Sequence, residues 1–266
     1  METSAQTASV ILAAGRGSRM KEFEGNKTLL PLIPGSSPLE GTRPILLQIL
    51  SNLPAGPKAL VVHHKKQDVI RATRSLDITY CEQPVLDGTG GGLLAARKFL
   101  ENQDCDQIII TMGDVPFVTK GTYNTLLSAL KKRSLVVLGF RPPSKKQYGV
   151  LELKGSRVQK IIEWKYWKTF SKKRQQALDI CNSGIYAASR DHLIQCLSLL
   201  ASRPHLIQKE IDGKLTQVEE FFITDIVEYM YDDGLAVGYI LAEDKEEVMG
   251  IDDLEALLKA QKIFQG

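Results

Sequence analysis

The sequence predicts an α/β protein: a mostly parallel mixed sheet flanked by helices, with an inserted β-hairpin layer in its second half. Three observations carry this. Short apolar runs alternate with longer amphipathic segments up to Phe140, the first run passes directly into a glycine-rich turn, and strict alternation begins near Tyr148.

The elements follow in chain order. Residues 10–13 read Val-Ile-Leu-Ala, a buried strand, and lead into Ala14-Gly15-Arg16-Gly17-Ser18-Arg19-Met20. A helix is predicted over 44–53, where apolar residues fall at 45, 46, 49, 50 and 53 and so share one face. Strands are expected at 59–62 and 77–80, and His63-His64 reads as a loop at the first strand's end. Residues 91–101 carry apolar side chains at 93, 94, 96, 99 and 100, again one helical face. A strand at 108–112, a helix at 119–132 and a strand at 135–140 complete this pattern. Then 148–153 alternates, Lys154-Gly155-Ser156 turns, and 157–164 alternates back, which is a hairpin. A strand at 183–188 and helices at 190–202, 221–231 and 252–263 close the chain.

Composition excludes several classes. At 266 residues, 43% hydrophobic and 24% charged, the chain lies in the ordinary globular range. Thirty-four basic against 31 acidic residues give a net +3, too slight an excess for a nucleic-acid binder. The runs Lys131-Lys132-Arg133, Lys145-Lys146 and Lys172-Lys173-Arg174 lack interleaved aromatics and read as solvated faces. Cys81, Cys105, Cys181 and Cys196 are widely spaced, without a Cys-x-x-Cys pair or flanking histidines, so reduced buried thiols are expected. The first nine residues are polar, and no apolar run nears the roughly 18 residues of a membrane span, which points to the cytoplasm with no membrane partner.

Three stretches carry chemistry. In 10–20, Gly15 and Gly17 let the backbone turn and approach a ligand, while Arg16 and Arg19 supply forked cationic donors that suit phosphate oxygens. A dinucleotide fingerprint is disfavoured, because Met20 stands where a third small residue belongs and Glu40 meets the later acidic position only loosely. No Gly-Lys-Ser/Thr follows either, so this is no P-loop. The apolar strand 108–112 runs through Gly113 to Asp114, a hard oxygen ligand at the strand end where open α/β sheets place substrates. Gln83 followed by Gly88-Thr89-Gly90-Gly91-Gly92 offers donors and acceptors for a nucleobase edge beside glycines that allow close approach.

Together the ordered motifs resemble the sugar-1-phosphate nucleotidyltransferases. They are Leu-Ala-Ala-Gly-x-Gly-x-Arg-Met, a downstream Lys27, Glu82-Gln83 with Gly88-Thr89-Gly90, Gly113-Asp114-Val115-Pro116, Tyr148-Gly149-Val150, Glu163, Asn182-Ser183-Gly184-Ile185-Tyr186 and Phe221-Phe222-Ile223-Thr224-Asp225-Ile226. The likeness spans roughly residues 8–255, and within that family it resembles the pyrophosphorylase (uridyltransferase) domain of the bifunctional N-acetylglucosamine-1-phosphate uridyltransferase/glucosamine-1-phosphate acetyltransferases. The resemblance implies a Rossmann-like fold of the nucleotide-diphospho-sugar transferase type. With no Pro/Gly/Ser-rich linker, low-complexity tract or internal repeat, one domain over 1–266 is expected, read as a nucleotide-binding half at 1–140, a sugar-binding half at 141–251 and a C-terminal helix at 252–266.

Carried onto this chain, the resemblance has Leu12, Ala13, Ala14 and Gly15 bind the nucleotide, Arg19 and Lys27 grip its phosphates, and Gln83, Gly88 and Thr89 hold the uracil. Asp114 and Asp252 would ligate Mg²⁺, with Asp252 where the family has an asparagine, and Gly149, Glu163 and Asn182 would face an N-acetylhexosamine. The expected substrates are an NTP, UTP above all, and a sugar 1-phosphate. Three departures from the family pattern stand out: the stretch 21–26 is about one residue longer than usual, with Asn26 where a proline commonly precedes the lysine; Met112 replaces a tyrosine; and Gly91 replaces a histidine. No hexapeptide repeats follow, so acetyl transfer is not expected. Two alternatives stand beside this reading: a cytidylyltransferase acting on a small phosphorylated alcohol, and a non-catalytic nucleotide-sugar-binding regulatory subunit. The aromatic cluster Trp164, Tyr166, Trp167 and Phe170 reads either as hairpin-to-helix core or as a lid.

Overall fold

A computed structural model describes residues 7–17, 19–20, 23–211 and 213–266. Residues 1–6, and Lys21 and Glu22 of the long 21–26 stretch, lie outside the described residues.

The strands are β1 (Thr7–Leu12), β2 (Pro31–Pro34), β3 (Gly41–Pro44), β4 (Lys58–Val62), β5 (Thr79–Glu82), β6 (Gln107–Met112), β7 (Leu135–Phe140), β8 (Val150–Lys154), β9 (Arg157–Ile162), β10 (Cys181–Ser189), β11 (His205–Ile211), β12 (Lys214–Glu220) and β13 (Val237–Leu241). The helices are α1 (Ile45–Asn52), α2 (Lys66–Thr73), α3 (Thr89–Ala95), α4 (Arg97–Glu101), α5 (Lys120–Leu130), α6 (Trp164–Trp167), α7 (Lys172–Ala177), α8 (Arg190–Ser202), α9 (Asp225–Asp232) and α10 (Leu254–Gln265).

The main sheet runs β13-β7-β10-β6-β1-β4-β5, and every neighbouring pair is parallel except those made by β10. Beside β10, the β8–β9 hairpin adds the inserted antiparallel layer, with Val150 opposite Cys181. Strands β1, β4, β6 and β7 are buried on both faces, as their continuous apolar runs require. Ile11, Leu60, Ile109 and Val136 pack with Leu46 and Ile49 of α1, Tyr123 and Leu126 of α5, and Leu257 of α10 on one side. Val10, Val61, Ile110 and Val137 pack on the other with Leu93 of α3, Leu100 of α4, Leu193 and Leu197 of α8, and Ile226 and Met230 of α9. Burying a side chain of this size fully stabilises by about 1.5–3 kcal/mol, so each layer holds its helices firmly against the sheet.

Some boundaries move. The expected helix 91–101 is two helices, because Ala96 at φ −86°, ψ 0° directs its N–H to Leu93 O. The edge strand expected at 77–80 lies at Thr79–Glu82, where its register opposite β4 pairs Ala59 with Thr79. Helix 221–231 begins only at Asp225, since Phe221 is tied to the 87–90 loop. Among elements the periodicity does not reveal, α2 buries only Val69 and Thr73, and β11 and β12 pair only with each other. No described helix is long and apolar enough to cross a membrane. All four cysteines are free and buried, and burial pushes the Cys181 thiol up to about 12.

Candidate active site

Strand order reverses between β1 and β6, which lie parallel with Leu12 opposite Met112. A reversal of this kind opens a crevice beyond the strands' carboxyl ends. Residues 13–17 leave one strand and Gly113-Asp114 the other, and Gly113 N donates to Leu12 O at 2.9 Å. Between them is a cavity of about 340 Å³. Leu12, Ala13, Ala14, Gly15, Lys27, Gln83, Gly88, Thr89 and Asp114 all line it.

The two glycines of the first loop differ in role. A side chain on Gly15 would meet nothing within 4 Å, so a Cβ there would project into open space. Gly17 sits at φ +64°, and a Cβ there would lie 3.1 Å from the Lys27 stem. It is therefore Gly17 that both needs the left-handed conformation and lets Lys27 pass.

Lys27 begins a short 3-10 turn, Lys27–Leu29, capped by the buried Asn26. Asn26 Oδ1 accepts from Thr28 N at 3.0 Å and Thr28 Oγ1 at 2.8 Å, and its Nδ2 donates to His64 O at 2.8 Å. A proline could make none of these side-chain bonds, and they set the register that brings Lys27 inward. Lys27 Nζ then donates to Asp114 Oδ2 at 2.5 Å and Asp252 Oδ1 at 2.9 Å, and Arg19 Nη1 lies 3.0 Å from Asp252 Oδ2. Ile251 N donates to Asp114 O at 2.9 Å, holding the two acidic loops together. Two cations and two carboxylates thus form one neutral chain.

Burial pulls the Lys27 ammonium down, but attraction and hydrogen bonds from Asp114 and Asp252 outweigh it and hold it above the ordinary lysine value. Burial likewise pushes the Asp252 carboxyl up, and Lys27 and Arg19 overcome it, leaving that group below the ordinary aspartate value. Among the described residues no three His, Cys, Asp or Glu side chains gather into a metal cage. Two hard carboxylates converging on one ammonium still fit Mg²⁺, which takes one or two protein oxygens and completes its shell with phosphate and water.

At the other end of the cavity the expectation for the glycine run needs correction. Added Cβ atoms on Gly88 and Gly90 would meet Phe221 O at 2.4 and 2.9 Å, and one on Gly91 would meet Asp87 Oδ1 at 1.7 Å. The close approach these glycines permit is to the protein's own chain. Gly90 N donates to Phe221 O at 2.8 Å, and Phe221 N to Asp87 O at 2.7 Å. Gln83 Nε2 is committed to Asp87 Oδ1 at 2.8 Å and Gly88 O at 3.0 Å, which leaves its Oε1 as the acceptor for a ligand. Thr89 Oγ1 accepts from Ile223 N at 3.2 Å, so it anchors the 221–224 segment.

Gly149, Glu163 and Asn182 do not line the cavity but stand together beside it. Asn182 N donates to Gly149 O at 2.8 Å, and a Cβ on Gly149 would lie 3.7 Å from Glu163 Oε2. Glu163 Oε1 accepts from Thr224 Oγ1 at 2.8 Å, while burial holds its carboxyl above the ordinary glutamate value. Asn182 is oriented by Tyr186 OH at 2.8 Å and Gly184 N at 3.0 Å. Met112 links the two regions, lining the cavity and lying 3.0 Å from the Cβ position of Gly184. Of the aromatic cluster, Trp167 is buried with Nε1 donating to Tyr148 O at 2.8 Å, which is the core reading, whereas Tyr166 is exposed.

Arg16, Thr28, Gly92 and Glu220 also line the cavity. Thr28 was legible from its place after Lys27. Glu220 was not, because it arrives on β12, whose alternating polar sequence carries no burial signal.

A profile described as the MobA-like NTP transferase domain matches residues 9–177. The chain belongs to this family. The match holds the first loop, Lys27, Gln83, Asp114, Gly149 and Glu163, and ends before Asn182 and Asp252. Bifunctional protein GlmU of Ruegeria pomeroyi is 29% identical over 264 residues, covering 97% of this chain and 53% of its own length. That of Buchnera aphidicola is 30% identical, covering 96% and 52%. The chain thus spans about half the length of these curated relatives. Among solved structures, a Bacillus anthracis protein described as a glucose-1-phosphate thymidylyltransferase has a TM-score of 0.67 at 19% identity, over 97% of this chain and 94% of that one. An Entamoeba histolytica protein described as a UDP-N-acetylglucosamine pyrophosphorylase has a TM-score of 0.68 at 13% identity, over 90% and 74%. At these identities the two structures speak for the fold.

Proposed function

We propose that this family member transfers a uridylyl group from UTP to N-acetylglucosamine 1-phosphate, yielding UDP-N-acetylglucosamine and pyrophosphate. One observation carries the reading. Lys27, which lines the cavity with Asp114, Gln83, Gly88 and Thr89, bridges Asp114 and Asp252.

A phosphate oxygen of the sugar phosphate attacks the α-phosphorus, the bond to the bridging oxygen of the β-phosphate breaks, and pyrophosphate leaves. The monoester is already an anion, so no protein nucleophile is required, and catalysis rests on alignment and charge neutralisation. Ala13, Ala14 and Gly15 present backbone to the triphosphate, while Arg19 and Lys27 hold the leaving pyrophosphate. Asp114 and Asp252 would hold Mg²⁺, which supplies positive charge at the phosphates in metal-assisted displacements. Gln83 Oε1 accepts from the uracil ring N–H. Glu163 accepts from sugar hydroxyls, and Asn182 faces the N-acetyl group.

The support is the gathering of these side chains together with sequence likeness to the GlmU proteins over 96–97% of the chain. Glu220 on the cavity wall adds a second acceptor, the kind of group a cytosine amine would use, so CTP belongs in any test panel. Calorimetric titration with UDP-N-acetylglucosamine and Mg²⁺ tests the reading. One saturable site, weakened by Gln83→Ala and by Asn182→Ala independently, is expected. Failure to bind while a CDP-alcohol binds would assign the protein to the cytidylyl alternative.

A further inference from the structure

Charge is distributed unevenly along this chain. Residues 141–178 hold eleven of its 34 basic side chains but only two of its 31 acidic ones, a local net of +9 in a chain whose total is +3. No acidic residue occurs between Glu163 and Asp179, where Lys165, Lys168, Lys172, Lys173 and Arg174 all fall.

The structure brings much of this stretch together. Lys145 Nζ donates to Leu178 O at 3.0 Å and also to Gln175 O, and Gln175 Nε2 donates to Lys168 O at 3.1 Å and Phe170 O at 2.9 Å. The Lys145-Lys146 and Lys172-Lys173-Arg174 runs are thereby brought side by side. Glu152 is taken by Arg174 and Lys160, and Asp179 by Arg141. Lys146, Lys154, Lys168, Lys172 and Lys173 are exposed and have no ion-pair partner among the described residues.

Aromatic rings are set among these cations. Tyr166 is 46% exposed, and Trp164 and Phe170 are partly buried. Lys168 Nζ lies 4.2 Å from the Trp164 ring, Lys165 Nζ 4.9 Å from Tyr166, and the Arg174 guanidinium 3.9 Å from Phe170. Leu153 beside Lys154 adds an exposed aliphatic group at the end of the β8–β9 hairpin.

We propose that this face docks peripherally on an anionic phospholipid surface. Unpaired lysines on long apolar stems, beside amphipathic Trp and Tyr rings, match the charge and the graded polarity of a headgroup layer. Nucleic acid fits less well, because base stacking needs free ring faces and here the protein's own cations cover them. The active-site cavity is not involved, since none of the five unpaired lysines lines it.

Flotation of the full chain with vesicles of phosphatidylcholine alone, or of phosphatidylcholine with phosphatidylglycerol, tests the proposal. Binding is expected only to the anionic vesicles, falling at least about tenfold between low and high salt as screening shortens the reach of the lysines. The variant Lys168→Glu/Lys172→Glu/Lys173→Glu should lose vesicle binding while keeping wild-type thermal unfolding and turnover. Absence of binding to anionic vesicles, equal binding to neutral ones, or full retention by the charge-reversed variant would each overturn it. So would capture of an oligonucleotide, or a salt-dependent KM for substrate, without vesicle binding.

Discussion

Lys27 Nζ stands 2.5 Å from Asp114 Oδ2, and the two residues are 87 positions apart in sequence. With Asp252 on its other side, this ammonium is shared between both carboxylates that the proposed metal would use. Two consequences follow for Lys27→Met. Turnover should fall at least about 100-fold, the scale of losing one preorganised charge contact to the reacting phosphates. Binding of Mn²⁺ without nucleotide, followed by electron paramagnetic resonance, should tighten, because Asp114 loses its ammonium partner and Asp252 keeps only Arg19. Weaker metal binding in Lys27→Met would contradict a lysine that competes with the ion.

Asp252 tests the family departure directly. Asp252→Asn keeps a hard oxygen and should retain turnover within about tenfold, whereas Asp252→Ala removes it and should lose about 100-fold or more. Stability reports the ion pairs separately. The folded pKa of Asp252 is depressed, so its contribution is present above the ordinary 3.8 and is lost as pH falls through the folded value. Thermal unfolding of Asp252→Asn should therefore lack that part of the acid-side loss. An unchanged acid limb would argue against the Lys27 and Arg19 pairing.

The fold was legible because its central strands are apolar runs buried on both faces, and the loops that meet at the cavity because Gly15, Gly17 and Asp114 follow two such runs directly. Lys27 was legible only through the family resemblance, since its placement depends on Asn26 reaching His64 O, a contact no local pattern encodes. The glycine run at 88–92 was misread for a related reason. A glycine needed for close approach looks the same whether the neighbour is a base or, as here, Phe221 and Asp87. Strands β11 and β12 escaped notice because they are exposed and pair only with one another, so neither buries a continuous apolar run.

Gly91→Ala follows from that correction. Its methyl group must displace the Asp87 carboxylate, which holds Gln83 Nε2 at 2.8 Å. Loss of this buried bond should cost about 1–3 kcal/mol of stability and raise the KM for the nucleotide, leaving that for the sugar phosphate unchanged. Gly155→Ala, on an open turn at φ +63°, separates backbone strain from this effect. Equal behaviour of the two variants in unfolding and kinetics would remove Asp87 from the account.

Glu163 gives a pH signature on the proposed sugar side. Burial raises its folded pKa above the ordinary 4.5, so the stability it contributes is present below that value and is lost as pH rises through the folded one. Glu163→Gln is neutral throughout and should flatten the loss of stability as pH rises above the ordinary 4.5. In kinetics it should raise the KM for the sugar phosphate and spare that for the nucleotide. A selective rise in the nucleotide KM would place Glu163 in the wrong half of the site.

Pyrophosphate release, measured with UTP, CTP, ATP, GTP and dTTP against a panel of sugar 1-phosphates and phosphorylated alcohols, tests the central claim most directly. The account predicts Mg²⁺-dependent release that is fastest with UTP and N-acetylglucosamine 1-phosphate. Release with no pair, or only with CTP and a phosphorylated alcohol, would contradict it.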